Sequence, residues 1–503
     1  MLRKMIPMMV LAISGVLSLS SPALAGFDET VNAALAPISK AVSNFIFFSV
    51  PLNGADIPLI VVWLIACSVF FTFYLGVLTP RNIKTSLKMV RGDYTDPNDE
   101  GQISHFKALT TALSGTVGVG NIGAVAFAIT IGGPGALFWI IVGGLLGASL
   151  KCAECTLGVK YRTKHEDGSV SGGPMYYLEK GLKEKNLPRL GKIIGIMYAI
   201  FIVIGCLGIG NMFQSNQAYE QLQLVTGGAE GFLFGKGWLV GGIMASIVAL
   251  VLIGGIQSIT RVTSKLVPGM AGIYFIAALI VIGLNIDALP GVLADVVSQA
   301  FNPEGITGGL FAVMIIGFRR STFSNEAGLG SSSIAHAAVK TNQPASEGLV
   351  GLLEPLIDTV IICPLTGLVI LLTVFSPEMV GGDVQGVQLT SAAFETVIWW
   401  FPNVLAIVIV LFAFSSIIAW GYYGQKGWVY LFGNNPAQNT VFLLIYCVFV
   451  LIGCTLDLGV IIDFSDAIVF CMALPNVLGL YFLAPVVKRE VGTYLEKLRT
   501  VQT

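Results

Sequence analysis

Apolar runs of membrane-crossing length recur along almost the whole chain, separated by polar loops. A window of about 19 residues, the helix length that crosses a hydrocarbon core, predicts about eleven spans. They fall at 57–78, 104–131, 134–158, 191–213, 236–257, 264–287, 307–337, 349–375, 402–426, 438–459 and 464–485. The predicted fold is an all-α polytopic membrane protein. Two runs carry Gly-rich or polar sequence at mid-length, Ser114-Gly115-Thr116-Val117-Gly118-Val119-Gly120-Asn121 and Phe318-Arg319-Arg320-Ser321-Thr322-Phe323-Ser324-Asn325-Glu326-Ala327-Gly328. Unwound backbone in hydrocarbon is tolerated only where protein buries it or water reaches it, so both runs read as broken helices around a transport site.

Composition sharpens this picture. The 503 residues are 55% hydrophobic and 11% charged, where a soluble domain carries roughly a quarter charged residues. The formal net charge of -1 gives no sign of a nucleic-acid partner. Lys and Arg sort to one set of alternate loops, including Arg81, Lys88, Arg162, Lys183, Arg261, Lys340 and Lys488, with Lys40 and Lys236 opposite. The positive-inside rule then puts the mature N-terminus outside and the C-terminus in the cytoplasm. Residues 1–25 have a basic start, an apolar run and an Ala23-Leu24-Ala25 ending, the parts of a cleaved signal; an uncleaved first span is the alternative. All eight cysteines lie within or beside apolar segments and read as small buried hydrophobes; Cys152 and Cys155 lack a second ligand pair for a metal.

Setting the first span aside leaves ten, and each broken span opens a group of five. An odd number inverts topology, so the expected arrangement is an inverted five-plus-five repeat preceded by one extra helix. The transporter domain is expected at 57–488, with repeat one at 104–287 and repeat two at 307–485, an outer segment at 26–56 and a tail at 489–503. Thr390 to Trp400 reads as an amphipathic stretch along the outer surface, with Trp399 and Trp400 at headgroup depth.

Gly118 to Gly123 spells a dinucleotide fingerprint but lacks the strand-turn-helix context that the fingerprint needs. As a helix interruption it offers free amides and a positive dipole end to a carboxylate, and exposed carbonyls to Na⁺ or an ammonium. Close helix packing is the competing role for glycine, and Gly143, Gly144 and Gly147 are assigned to it. Around the second break, Arg319, Arg320 and Glu326, with Glu154, Glu354 and Asp358 in other runs, would each cost at least about 2.5 kcal/mol unpaired. They are expected to pair or to face a wet cavity, as interhelical ion pairs or as substrate contacts, and a carboxylate among them leaves proton coupling open. His336 reads as a polar helix-end residue, and Gln214 as the end of the fourth span.

At these residues the chain resembles the alanine or glycine:cation symporter family. The resemblance runs from about residue 57 to 488. It is carried by His105 to Ser114 running into Gly118-Val119-Gly120-Asn121-Ile122, Gly133-Pro134-Gly135-Ala136, Ser171-Gly172-Gly173-Pro174-Met175-Tyr176-Tyr177, Phe323 to Gly330 and Phe412-Ala413-Phe414-Ser415-Ser416. It implies a leucine-transporter-type fold and uptake of a small neutral amino acid, alanine or glycine, with Na⁺ or sometimes H⁺. By that resemblance Thr116, Gly118, Val119 and Gly120 would take the substrate carboxylate, and Gln214, Phe323 and Trp420 would line or cap the pocket. Na⁺ would sit between carbonyls near Ser114 and Val117 and the hydroxyls of Ser415 and Ser416. The chain departs from the family's usual residues at Ser321, Gly123, Ile140 and Gln425.

Other classes fit less well. His105, His165 and His336 are scattered and supply no catalytic constellation for an enzyme. A channel would show passive flux, and a receptor would bind without accumulating. No organic cofactor or obligate protein partner is implied; the expected partners are the amino acid and the lipid bilayer.

Overall fold

The computed structural model describes residue 37 and residues 40–502 except 53, 97, 167, 304–307 and 382–385. The expected signal at 1–25 lies outside the described residues. Two short hairpins, β1 (Ser49–Leu52) with β2 (Ala55–Pro58) and β3 (Thr163–Lys164) with β4 (Val170–Ser171), are the named sheet among them. Everything else with regular structure is helical.

The first helices are α1 (Leu59–Tyr74) and α2 (Leu78–Arg91), which meet at 76°. Next come α3 (His105–Thr116) and α4 (Val125–Gly132), joined across the first break and a π turn at Gly120–Ala124 with a 48° bend. Then follow α5 (Gly135–Lys160), α6 (Pro174–Glu184), α7 (Pro188–Leu207), α8 (Phe213–Val225), α9 (Gly237–Ile253), α10 (Gly255–Leu284) and α11 (Leu289–Phe301). The second half holds α12 (Gly309–Asn325), α13 (Ser333–His336), α14 (Pro344–Gly351), α15 (Leu353–Pro355), α16 (Cys363–Thr373), α17 (Val387–Glu395), α18 (Phe401–Phe432), α19 (Pro436–Gly453) and α20 (Leu458–Gln502).

Seven described helical stretches are long and apolar enough to cross a membrane, or up to nine if each bent pair forms one span. The difference from eleven is physical: α9 is apolar but only 17 residues long, and α12, also 17, turns polar at Arg319 and Arg320, so neither reaches a full apolar span. Both expected breaks are present. α3 stops at Thr116, where Val117 turns extended, and α12 stops at Asn325, where Glu326 takes a left-handed φ of 57°.

Polarity is arranged inside out. On α9 the exposed face is Ile243, Ile247 and Leu250, and on α10 it is Ile273, Ile276, Ile280 and Leu284, helical stripes suited to lipid. Small residues face inward. A Cβ at Gly143, Gly144 or Gly147 of α5 would meet the Cβ atoms of Ser321, Thr359 or Ala327 at 2.7–2.9 Å, so these glycines let α5 lie directly against the second half. Gly143 also makes room for Ser321.

The amphipathic stretch begins earlier than expected and is largely covered. In α17, Val387, Leu389, Thr390, Ser391, Ala393 and Phe394 are all buried, and the exposed Trp399 and Trp400 lie beyond its end. Gln214 is corrected too: it sits in the first turn of α8, inside a helical stretch running from Pro188 to Val225, not at a span end.

Candidate functional site

The first break is an uncharged cradle. Because Val117 leaves the helix, the amide of Gly118 cannot reach the carbonyl of Ser114 and bonds Asn121 Oδ1 instead, at 2.9 Å. The amide of Asn121 turns to the Gly118 carbonyl, so the Val117 carbonyl also loses its helical partner. The amide of Val119 donates to Gln214 Oε1 at 3.3 Å, and Gln214 Nε2 donates to the Ile209 carbonyl. The Thr116 hydroxyl turns back onto its own helix, toward the Ala112 and Leu113 carbonyls.

Three π turns surround this cradle, at Gly120–Ala124, Gly208–Met212 and Leu356–Ile362. Such turns widen a helix by one residue and often mark functional positions. The turn at Leu356–Ile362 brings Asp358 inward, where Asn121 Nδ2 donates to its Oδ1 at 2.6 Å and Ser324 and Thr359 donate to its Oδ2 at 2.7 and 2.6 Å. Asp358 therefore fixes the amide of Asn121, whose oxygen in turn holds Gly118.

Aromatic groups bound the cradle. Phe323 is buried and meets Phe213 edge to face at a centroid distance of 5.4 Å. Trp420 is fully buried, packs against Gly210 and donates through Nε1 to the Gly115 carbonyl at 3.4 Å. The two glycines of the cradle differ. A Cβ at Gly118 would fall 2.5 Å from Ser416 Oγ, whereas one at Gly120 would meet only Phe323, at 3.8 Å.

The residues expected to hold Na⁺ come together in part. Ser416 Oγ is buried with no hydrogen-bond partner and faces Gly118, whose redirected amide leaves the Ser114 carbonyl without its helical donor. An orphaned buried hydroxyl facing unwound backbone is the chemistry that fits a small monovalent cation. The Ser415 and Ser114 hydroxyls instead donate to the Phe412 and Thr111 carbonyls, at 2.9 and 2.7 Å, leaving only their lone pairs for a ligand.

The second break carries charge. Arg319 and Arg320 both bond Asp466 of α20, the former at 2.7 Å, and Arg320 also stacks over Phe127 and Phe323. Glu326 accepts from Ser331; Lys151 Nζ lies 3.3 Å from Glu354 and donates to Ser332; Glu154 accepts from Asn476 at 2.8 Å. The pairing reading thus holds for Arg319, Arg320 and Glu354, while Glu326 and Asp358 accept from neutral donors and Glu154 does so through Oε1 only, its Oε2 being buried without a partner. His336 does end a helix, α13, but it is more than a polar helix-end residue: it lies fully buried between Glu347 and Glu354. Lys151, Glu347 and Asp466 carry the pairing and went unseen in the sequence, although a lone charge inside an apolar run was the available signal. Cys155, His336 and Glu354 approach within 4.8 Å, close enough for a metal, but the Lys151 ammonium already supplies that cluster's cation.

Comparison with known proteins agrees with this architecture. The profile of the "Sodium:alanine symporter family" matches residues 44–503. The chain is 37% identical over 443 residues to the sodium/alanine symporter AgcS of Methanococcus maripaludis, covering 87% of this chain and 94% of that one. It is 33% identical over 441 residues to the probable sodium/glutamine symporter GlnT of Bacillus subtilis, covering 87% of each. Among solved structures, MhsT in complex with L-phenylalanine superposes with a TM-score of 0.54 at 16% identity, over 78% of this chain and 99% of that chain, which places the fold in the leucine-transporter type. The chain is a multi-pass membrane transporter and belongs to the sodium:alanine symporter family.

Proposed function

We propose that this chain imports a small neutral amino acid, alanine or glycine, in symport with Na⁺ by alternating access, and that its substrates meet at the first helix break. The observation that carries the reading is the redirected backbone from Ser114 to Asn121 facing the orphaned Ser416 hydroxyl. The Gly118 and Val119 amides are held by the side-chain oxygens of Asn121 and Gln214, neutral acceptors that a substrate carboxylate exchanges for a charge-assisted bond. Thr116 and Gly120 complete that cradle, and Phe323 and Trp420 are its walls.

Na⁺, a co-substrate, is taken by the Ser114 and Val117 carbonyls with Ser415 and Ser416. The carboxylate and the cation then use the two sides of one unwound segment, so each lowers the cost of burying the other. One charge moving through 100 mV gains about 2.3 kcal/mol, roughly fiftyfold accumulation before the Na⁺ gradient contributes.

Closure toward one side is provided by the Phe213–Phe323 pair beneath the Arg320–Asp466 ion pair. Gln217, Gly123 and Phe127 line a narrow opening beside Arg320. We assign this to the outer side, the basic loops to the cytoplasm, the membrane to the bacterial inner membrane, and the two repeats to 104–287 and 307–485.

The test is uptake of labelled alanine and glycine by the purified protein in liposomes, with an inward Na⁺ gradient against equimolar K⁺ and a pH gradient alone. Concentrative uptake only with Na⁺ is the expected result. Uptake driven by the pH gradient alone would replace the cation, and no uptake of either amino acid would overturn the substrate class.

A further inference from the structure

On the face that carries the basic loops, one unbroken line of buried side chains ties the first half of the chain to the second. His105, in the first turn of α3, bonds Glu347 of α14 through Nδ1. The other oxygen of Glu347 meets His336 Nδ1 at 2.6 Å, and His336 Nε2 meets Glu354 Oε1 at 2.7 Å. Glu354 Oε2 ends the line 3.3 Å from Lys151 Nζ of α5. Beside it, the loop before α3 pairs with the segment after α13: Gln102 donates to the Ala338 carbonyl at 2.8 Å and Lys340 to the Ile103 carbonyl at 2.8 Å. Arg162 clamps the same seam, donating to the carbonyls of Glu100, Ala337, Val339 and Thr341.

The geometry around His336 fixes a proton count. A neutral imidazole has one N–H and one lone pair, and a lone pair cannot bond an ionised carboxylate oxygen. With a carboxylate on each nitrogen, one further proton must reside among Glu347, His336 and Glu354. Charge balance gives the same number: Lys151 and one imidazolium cancel Glu347 and Glu354, with His105 neutral and donating from Nδ1. Without that proton the buried set is left at one net negative charge, and one carboxylate loses its donor.

The remaining groups facing this set come from several elements. α5 contributes Lys151, Glu154 and Cys155; α3 contributes His105; the chain before α13 contributes Glu326; the loops contribute Asp99 and Arg162. Phenols approach from Tyr177 of α6, Tyr423 of α18 and Tyr494 of α20. The carboxylates favour the extra proton, and Lys151 and Arg162 oppose it.

We infer that the Glu347–His336–Glu354 triad is a proton-binding site that latches α3 to the second half of the chain, so that losing its proton favours opening of this face. The site is separate from the amino-acid and Na⁺ cradle, and its protonation sets how readily the seam opens whatever the substrate proves to be. The sign follows from linkage: the closed arrangement binds the proton more tightly than the open one. Closure is therefore complete at low pH and is lost as pH rises through the affinity of the closed state.

The test is hydrogen exchange by mass spectrometry on the full chain in lipid nanodiscs without substrate, from about pH 6 to about pH 9, each amide corrected for its intrinsic rate. The readout is protection of the Gln102 and Lys340 amides. In the unaltered protein protection should fall by about tenfold or more across that range. In Glu354→Gln the carboxamide donates to His336 without an added proton, so protection should stay high throughout. In His336→Gln protection should be low and flat. Overturning results are constant protection in the unaltered protein, or an undiminished pH response in Glu354→Gln. Glu354→Gln keeps the test decisive where His336→Gln fails to fold, and neither readout depends on transport.

Discussion

The break after Thr116 and the break after Asn325 interrupt helices that open the two halves of the chain, yet they are satisfied by opposite chemistries. At the first, backbone amides are held by the side-chain amides of Asn121 and Gln214, and a buried hydroxyl at Ser416 has no partner. Around the second, Arg319, Arg320, Lys151 and Glu354 are engaged in ion pairs. A neutral hydrogen bond contributes about 1 kcal/mol net and can be exchanged for a ligand. A buried charge stripped of its partner costs several times more. The first break is built to exchange partners, the second to keep them.

That contrast predicts that damage near the second break is read in stability, and damage at the first in transport. The largest effect is expected for Asp466→Asn, which leaves Arg320 buried without a countercharge. It should destabilise the protein by about 3–5 kcal/mol in thermal unfolding of the purified chain, and an unchanged melting temperature would break the comparison. Gly118→Ala should displace the Ser416 hydroxyl, costing about 1 kcal/mol of stability, the low end for overpacking, while lowering kcat/KM for uptake by about tenfold and raising the Na⁺ half-saturation. For Ser416→Ala we expect about a fivefold rise in Na⁺ half-saturation, near 1 kcal/mol, with maximal uptake at saturating Na⁺ preserved. The smallest effect belongs to Gly120→Ala, whose methyl meets only Phe323. Stability should change by less than about 1 kcal/mol, and alanine uptake should fall more than glycine uptake. Equal losses for both amino acids would remove Phe323 as a wall beside that position.

The first break was legible because its signal is local: glycines and neutral polar residues in an apolar run announce an interruption by themselves. The charged network was half legible. Arg319, Arg320, Glu154, Glu354 and Asp358 stand out against hydrocarbon, but their partners lie far away in sequence. Asp466 is 146 residues from Arg320, a pairing that no window along one helix contains. Lys151 and Glu347 sit in runs otherwise apolar or small enough to dilute one charge. His336 was half legible: its place at a helix end is visible in sequence, whereas the two carboxylates around it are supplied only by folding. The π turns left no trace, since an extra residue in a helix changes register, not hydropathy.

Those turns give residue number a chemical meaning. A helix advances about 100° per residue, and the π turn at Gly208–Met212 takes up one extra residue without that rotation before α8 begins. Wound as an ordinary helix with the same number of residues, the stretch from Cys206 to Gln214 would rotate Gln214 by about 100° and swing its carboxamide away from the Val119 amide, with no change in the identity of any group at the cradle. Spacing along that stretch works like the teeth of a gear: the side chains are its surface, and the count sets which one meshes.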